Sequence, residues 1–423
     1  MAHREEAKYA PLRTKILWTL LFLVIFVVGR NIPLPLMHEA HGTAGTIGGL
    51  SSVTGLATGG NFDSPTLFSL GLGPYMGANI MWRFLMIGRL ARGKNIPEQT
   101  VNLVRYLVMG ALSLFQAISL SGNFTITPVH LGPFPPAGTA RVLSVMMLMA
   151  GAAFLTWIAN QNQDKGLGGV TSFIVYQIII TAMTNWHPFM QLVHEPGSGH
   201  ILIPVGLACL GVILLGVFAG NSELRLKVNK VSIDNGFTGQ SYLPVKLNPA
   251  GASPIMYAMT LLMVPANIIH ALGIVFPGLE AGSQTFLQHW GLTSPIGWSV
   301  YLVLLFAMSI FFGLFTVSPK QIGDRMQDGG EYFDNVNPGR ATKSFLRNRV
   351  VFLSGITGIG LVVLTGLPLF FLSHYPTYQY ELMAPGTFMI IIANMWMLYE
   401  EIADTNIGRK YDFHLMAAQE VTA

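Results

Sequence analysis

FDSPTLFSLGLGPYMGANIMWRFLM, Phe62 to Met86, is long enough to cross a bilayer as one helix. Yet Gly71, Gly73 and Pro74 sit near its start, where they interrupt a helix most easily. Just upstream, SSVTGLATGGN (Ser51 to Asn61) is too polar and glycine-rich for a spanning helix and too apolar for an ordinary loop. A short half-helix that enters the membrane, breaks and hands over to a true span fits both pieces. Broken backbone at membrane depth survives only inside protein or beside a water-filled cavity. The stretch therefore predicts a polytopic membrane protein with a pathway through its middle.

Composition agrees. Of 423 residues, 51% are hydrophobic and 10% charged, with a mean hydropathy of +0.51; soluble domains carry about 25% charged residues. The net charge of +4 is too small to argue for nucleic acid. Cys209, the single cysteine, has no partner in the chain for a disulfide. Arg4, Lys8, Arg13 and Lys15 flank the first apolar run, and no small-residue cleavage pattern follows it, so it reads as a retained span.

Apolar windows of roughly twenty residues recur about ten times. They fall near residues 16–32, 65–87, 101–120, 142–160, 170–190, 201–218, 254–276, 298–317, 350–372 and 386–403. Basic residues cluster in alternate connections. Arg89, Arg92 and Lys94 form one group, Lys165 another, and Arg225, Lys227, Lys230 and Lys246 a third. Lys320, Arg325, Arg340, Lys343, Arg347 and Arg349 follow, then Arg409 and Lys410. The positive-inside rule places these connections and both termini in the cytosol. Each half carries a proline-interrupted stretch, Gly73-Pro74-Tyr75-Met76 in one and Pro249 to Pro254 in the other. Five spans per half make an inverted repeat, whose pathway lies at the shared interface. The expected halves are residues 1–190, with a plug at about 47–61, and 191–423, with cytosolic loops 221–248 and 318–349 and a tail from 405.

Chemistry is sparse. Arg83 and Arg105 lie toward span ends and can snorkel, and no carboxylate sits at mid-depth to couple ions. Glu400, Glu401 and Asp404 read as a solvated helix end. His38 and His41 are too closely spaced for a helical zinc pair. His187, His194 and His200 read as plain loop histidines, and Asn123-Phe124-Thr125 is a bare glycosylation pattern. No phosphate-binding loop or nucleophile elbow is present, so neither an enzyme nor a cofactor or metal site is expected. The two long polar loops are too long for simple connections and read as docking surfaces for a cytosolic partner.

These pieces together resemble a SecY-type protein-conducting channel over about Leu12 to Leu415. The resemblance rests on Thr58 to Gly60 with LFSLGLGPYMGANI (Leu67 to Ile80), and on WIANQNQDKGLGGVTSFI (Trp157 to Ile174). LPVKLNPAGASPIMYA (Leu243 to Ala258) and the loop Ser318 to Leu346 complete it, in the family's order. It implies an all-α membrane protein of ten helices in two inverted halves of five around a central pore. The pore would be stopped by a half-helical plug of Ser52, Val53, Thr54, Gly55, Leu56, Ala57, Thr58, Gly59 and Gly60. An apolar ring of Leu72, Met76, Val175, Met256 and Ile391 would seal the waist, with Thr171 adjacent. Such a ring passes a chain and dewets when empty. Arg225, Lys227, Lys230, Asn337, Arg340 and Lys343 would meet a SecA-type motor ATPase. Small SecE- or SecG-like or accessory membrane subunits, lipid and an unfolded preprotein complete the implied partners, without nucleic acid. Asn337 stands where the family has arginine, the loop between spans six and seven is short, and Thr171 is polar. These departures point to an accessory SecY of a Gram-positive bacterium, exporting serine-rich glycosylated adhesins. A secondary transporter of a small solute is the rival, and liposomes accumulating a solute on an ion gradient without any ATPase would identify it. An intramembrane enzyme is disfavoured by the missing catalytic sets.

Overall fold

The computed structural model describes residues 12–39, 60, 62, 64–90, 98–127, 136–184, 190, 199–230, 241–251, 253–292, 294–374, 384–403 and 405. They fall into two compact units. The first takes the residues up to Met190, Met259–Ser294 and those from Asn394 on; the second takes Gln191–Ala258 and Pro295–Ala393.

In the first unit, α1 (Leu12–Asn31) buries Phe22, Phe26 and Gly29 on one stripe. Its opposite face is equally apolar but exposed, with Leu17, Leu20, Leu21, Val24 and Val28 all outward. A helix that is apolar on its exposed face faces lipid, since water would leave that area uncompensated. Strand β1 (Met37–Glu39) pairs antiparallel with β2 (Phe124–Ile126). Helices α2 (Gly73–Leu90), α3 (Glu98–Ser121), α4 (Pro136–Lys165) and α5 (Gly169–Thr184) follow in order.

The second span begins at Gly73 rather than at residue 65. Ser69 competes for the backbone upstream: its Oγ accepts the Thr66 N–H at 2.7 Å and donates to the Ser64 carbonyl at 2.8 Å. Gly71 is left-handed at φ 59°, a conformation that costs any residue with a Cβ. The strand-like run 64–67 instead lies along 32–34, with Leu34 N–H on Pro65 O and Leu67 N–H on Ile32 O.

The second unit holds α6 (Gly199–Asn221), with Ile203, Leu207, Leu210, Leu214 and Phe218 exposed in the same lipid-facing manner. Then come β3 (Glu223–Lys227), β4 (Asn229–Lys230) and β5 (Tyr242–Lys246), and α7 (Ser253–Val275), which belongs to the first unit from Met259 on. A 3-10 turn and α8 (Glu280–Trp290), also in the first unit, precede α9 (Pro295–Val317), α10 (Pro319–Asp328), β6 (Glu331–Tyr332) and α11 (Arg340–His374). A last helix runs over 384–403. Among the described residues seven helices are long and apolar enough to cross a membrane, and α5 adds a shorter apolar one. The chain is a multi-pass membrane protein; a helix overlies each of the ten apolar windows, and the short helices α8 and α10 fall outside them.

The two long polar loops are not simple linkers. Strand β3 pairs with β5, and β4 with β6, so residues 223–230, 242–246 and 331–332 are stitched by backbone hydrogen bonds. Val228, Met326, Phe333 and Leu346 form a buried core beneath them, flanked by Leu226, Leu243 and Ile322. Both loops thus contribute to one folded polar lobe. Its helix α10 packs its apolar side on that core and leaves its charges outside, which binary patterning at a helical period dictates.

Candidate functional site: the plug cradle, the ring positions and the polar lobe

Leu72 and Met76 stand one turn apart, and the Met76 N–H bonds to the Leu72 carbonyl at 2.9 Å. Both are buried, but not alike. Leu72 packs with Phe26, Leu155 and Phe173 in the cluster joining α1, α4 and α5. Met76 is buried but is not part of that cluster. Val175 on α5 is buried, and Thr171 lies one turn before it, also buried. Met256 is buried on the part of α7 within the second unit, and Ile391 is half-buried in the last helix. The five ring positions are divided three and two between the units.

Of the expected plug, Ser52 to Gly59 lie outside the described residues and Gly60 within them. Gly60 is buried and presses so closely on the next turn that a Cβ would stand 2.8 Å from the Ser69 carbonyl oxygen. Its own carbonyl accepts a 2.9 Å hydrogen bond from Gln177 Nε2 on α5. Phe62 is buried with Leu34, Met37 and Leu70. Gly60 and Phe62 are therefore anchored, one by the Gln177 amide and the other by apolar packing.

Between α3 and α7 runs a seam of polar side chains at membrane depth. Ser119 Oγ lies 2.8 Å from His270 Nδ1 and donates to Asn267 Oδ1 at 3.2 Å. Gln116 and Thr260 are buried along the same seam. A cavity of about 20 Å³, room for about one water, is lined there by Gly73, Pro74, Gln116, Thr260 and Asn267. Polar groups buried in lipid demand such partners. Sequence reading passed over Gln177, Asn267 and His270. Their signal was available, because an amide or imidazole inside an apolar window is costly unless paired.

At the other end, the turn after α4 is clamped from three helices. Thr19 Oγ1 accepts the Leu167 N–H at 2.8 Å, and Asn162 Nδ2 donates to the carbonyls of Leu167 and Gly169. The Gly168 N–H donates to Glu401 Oε2 at 2.9 Å. Glu400 accepts from Trp396 Nε1 at 2.8 Å. These two carboxylates are thus fastened within the fold rather than merely solvated; Asp404 lies outside the described residues.

The docking residues divide similarly. Arg225 is exposed but engaged, bonded to Glu223 Oε1 at 2.7 Å and stacked 4.9 Å above the Tyr242 ring. The Glu223 bond, then Tyr242, holds its guanidinium above the ordinary arginine value. Lys343 is ion-paired to Asp324. Lys227, Asn337 and Arg340 are exposed, and the Asn337 carbonyl accepts from the buried Thr342 hydroxyl at 3.1 Å. Lys230 ends β4, in register with Glu331. Among the described residues no group of His, Cys, Asp or Glu is arranged to hold a metal.

A family model described as SecY matches residues 66–399. The accessory Sec system protein translocase subunit SecY2 of Leuconostoc gelidum subsp. gasicomitatum is 31% identical over 385 residues, covering 89% of this chain and 91% of that one. The protein of the same description from Streptococcus salivarius is 32% identical over 401 residues, covering 93% and 95%. Among solved structures, one described as a protein conducting channel superposes with a TM-score of 0.63 at 16% identity, covering 94% of this chain and 93% of that one. With the broken second span, the paired polar loops and the helix order all in place, the chain belongs to the SecY family of protein-conducting channels.

Proposed function

We propose that this chain is the channel subunit of an accessory Sec translocase, passing unfolded preproteins across the cell membrane. The observation that carries the reading is the end-to-end similarity to accessory SecY2 subunits; Leu72, Met76, Val175 and Met256, each apolar and buried, are the proposed ring. Ser52 to Gly60 is the plug, and Ile391 completes the ring. Methionine suits such a gasket because its thioether is flexible and polarizable. Serine-rich glycosylated adhesins are the proposed cargo, and a dedicated SecA-type ATPase supplies the drive. Small SecE- or SecG-like or accessory membrane subunits brace the channel. The chain's own family is one of channels, and no catalytic role is assigned to any residue. Proteoliposomes containing this chain, the motor and a serine-rich preprotein should protect the preprotein from external protease only with ATP. Protection without ATP, or none with it, would refute the reading.

Both termini and the polar lobe are proposed to face the cytosol, following the basic residues. A cysteine at Gly132 or Gln284 should react with an impermeant thiol reagent added to intact cells, whereas one at Asp234 or Asp328 should not. Labelling of the latter pair would overturn the topology.

Motor engagement is assigned to the exposed face of the lobe bearing Lys227, Asn337 and Arg340. Arg340→Glu should cut export several-fold at unchanged abundance, since an exposed charge contributes under about 1 kcal/mol to folding. Lys343→Glu is a different experiment, because it would set two carboxylates against each other at Asp324. Its paired form, Lys343→Glu with Asp324→Lys, keeps the ion pair and isolates docking. Normal export by Arg340→Glu and by the swapped pair would demote this face to scaffold.

A further inference from the structure

A second polar recess lies where four helices have their termini: α3 finishes at Ser121 and α7 at Val275, while α4 begins at Pro136 and α8 at Glu280. Glycines let them close up. A Cβ on Gly122 would stand 2.5 Å from Ile274 Cδ1 and 3.3 Å from His270 Cε1, and one on Gly273 would run into the Ser283 hydroxyl. That hydroxyl donates to the Glu280 carbonyl at 2.7 Å. Between them lies a cavity of about 260 Å³, walled by Gly122, Arg141, His270, Glu280, Ser283 and Gln284. It approaches the roughly 300–1,000 Å³ of small-molecule sites. Its polar groups form a definite set. Among the described residues no ion pair or hydrogen bond engages the exposed Arg141 guanidinium. His270 is 6% exposed. The Ser119 hydroxyl gives its hydrogen to Asn267 Oδ1, so it accepts from His270 Nδ1–H at 2.8 Å. Nε2 of the neutral ring then keeps its lone pair. Glu280 and Gln284 stand one turn apart on α8, both exposed. The recess thus offers one cation and, around it, hydrogen-bond acceptors.

We infer that this recess seats the headgroup of a membrane phospholipid, one whose phosphate is joined to a hydroxyl-bearing group such as glycerol. Arg141 takes the phosphate, which its planar fork of donors suits. The Glu280 carboxylate and His270 Nε2 accept from the hydroxyls, and the Gln284 amide serves either partner. A bare anion fits poorly, because the Glu280 carboxylate repels it unless donors stand between them. The place favours a lipid over a soluble phosphate. Ends of spans mark the edge of the hydrocarbon layer, and exposed apolar surface adjoins the recess. Leu272, Val275 and Phe276 supply it at the end of α7, and Val142 and Met146 supply it just after Arg141. Acyl chains lie along these residues while the headgroup bridges α4 to α7 and α8. By the distribution of basic residues this is the outer leaflet. The inference needs only the membrane-spanning fold and stands apart from the channel reading.

The test is native mass spectrometry of the full chain, delipidated in detergent and titrated with phosphatidylglycerol or phosphatidylmethanol. Both lipids carry one negative charge, and phosphatidylmethanol has no headgroup hydroxyl. The parent should bind phosphatidylglycerol roughly tenfold more tightly, the effect of hydrogen bonds to a charged acceptor. Arg141→Gln should weaken both lipids roughly tenfold through the lost phosphate contact. Glu280→Ala should narrow the preference without weakening phosphatidylmethanol. Lys165→Gln, at the opposite end of α4, should change neither. If Arg141→Gln assembles poorly, Glu280→Ala decides alone. Equal affinity of the parent for the two lipids would overturn the inference, as would an unchanged preference in Glu280→Ala. An Arg141→Gln protein that binds like the parent would overturn it too. A loss in Lys165→Gln as large as that in Arg141→Gln would do the same, showing a diffuse attraction to anionic lipid. Soluble glycerophosphoglycerol binding as tightly as the lipid would overturn the membrane source. No outcome involves conductance or export, so failure here leaves the channel reading untouched.

Discussion

Met76→Asp is expected to raise the ion conductance of the idle channel at least roughly tenfold, a barrier change of only about 1.4 kcal/mol, while the protein still assembles. The buried methionine lies outside the packed aromatic and aliphatic cluster that holds its neighbour Leu72. A carboxylate there retains its water, and a throat that dewets around thioethers would stay hydrated around it. Met256→Asp should act in the same direction. Leu72→Asp should behave differently: this side chain is fully buried against Phe26, Leu155 and Phe173. Its charge would enter a close-packed interior, where the cost is several kcal/mol unless it is neutralised, so abundance should fall before any leak appears. Planar-bilayer conductance normalised to immunoblotted protein separates the two. Tight Met76→Asp and Met256→Asp channels at normal abundance would remove both residues from the throat.

The contrast between these neighbours shows where sequence reading stops. Long apolar windows identify spans because helix length is fixed by bilayer thickness, and α1, α3, α4, α6, α7 and α9 lie where those windows put them. The family motifs led to the residues of the ring positions. Which way a side chain on an apolar helix faces was not legible, since lipid, protein interior and pore lining all select the same residue types. Met76 and Leu72 look equivalent in sequence, and only packing distinguishes them. The start of the second span was misplaced for a similar reason: hydropathy counts Leu67, Phe68 and Leu70 as helical, whereas the Ser69 hydroxyl takes the Thr66 N–H and bends the chain into turns. Charged loops carried the opposite problem. Their polarity reads as solvent exposure, yet Val228, Met326, Phe333 and Leu346, widely separated in sequence, meet in one core. Glu401 likewise looked like a free helix end until Gly168, more than two hundred positions away, supplied its N–H.

Gly151→Ala is expected to be among the most damaging single-methyl additions in the chain. Residues 64–72 lie across α4, and a Cβ at Gly151 would stand 1.9 Å from the Leu67 carbonyl oxygen and 2.9 Å from its carbonyl carbon. Backbone cannot rotate away as a side chain can, and this backbone is held at both ends. The Leu67 N–H is bonded to Ile32 O, and the Gly71 N–H closes a turn on Phe68 O, while the Ser69 hydroxyl ties Thr66 and Ser64 between them. Relief therefore requires α4 or the whole segment to move, and overpacking of this kind costs about 3 kcal/mol. Gly29 makes an instructive comparison: the atoms nearest a methyl there all belong to the Phe68 ring, 2.0 Å away at the closest, and a side chain, even a packed one, yields more readily than backbone, so Gly29→Ala should cost less. Gly110, in the interior of α3, has nothing within 4 Å of its hypothetical Cβ. There alanine should be neutral or stabilising by about 0.5–1 kcal/mol through the lost backbone freedom of glycine. Thermal unfolding of the detergent-solubilised proteins should rank them Gly110→Ala, Gly29→Ala, Gly151→Ala in falling midpoint. The segment that Gly151 supports leads directly into Leu72 and Met76, so any Gly151→Ala protein that survives should also leak. A Gly151→Ala protein that melts with the parent and stays tight would mean that residues 64–72 do not rest on α4 as described.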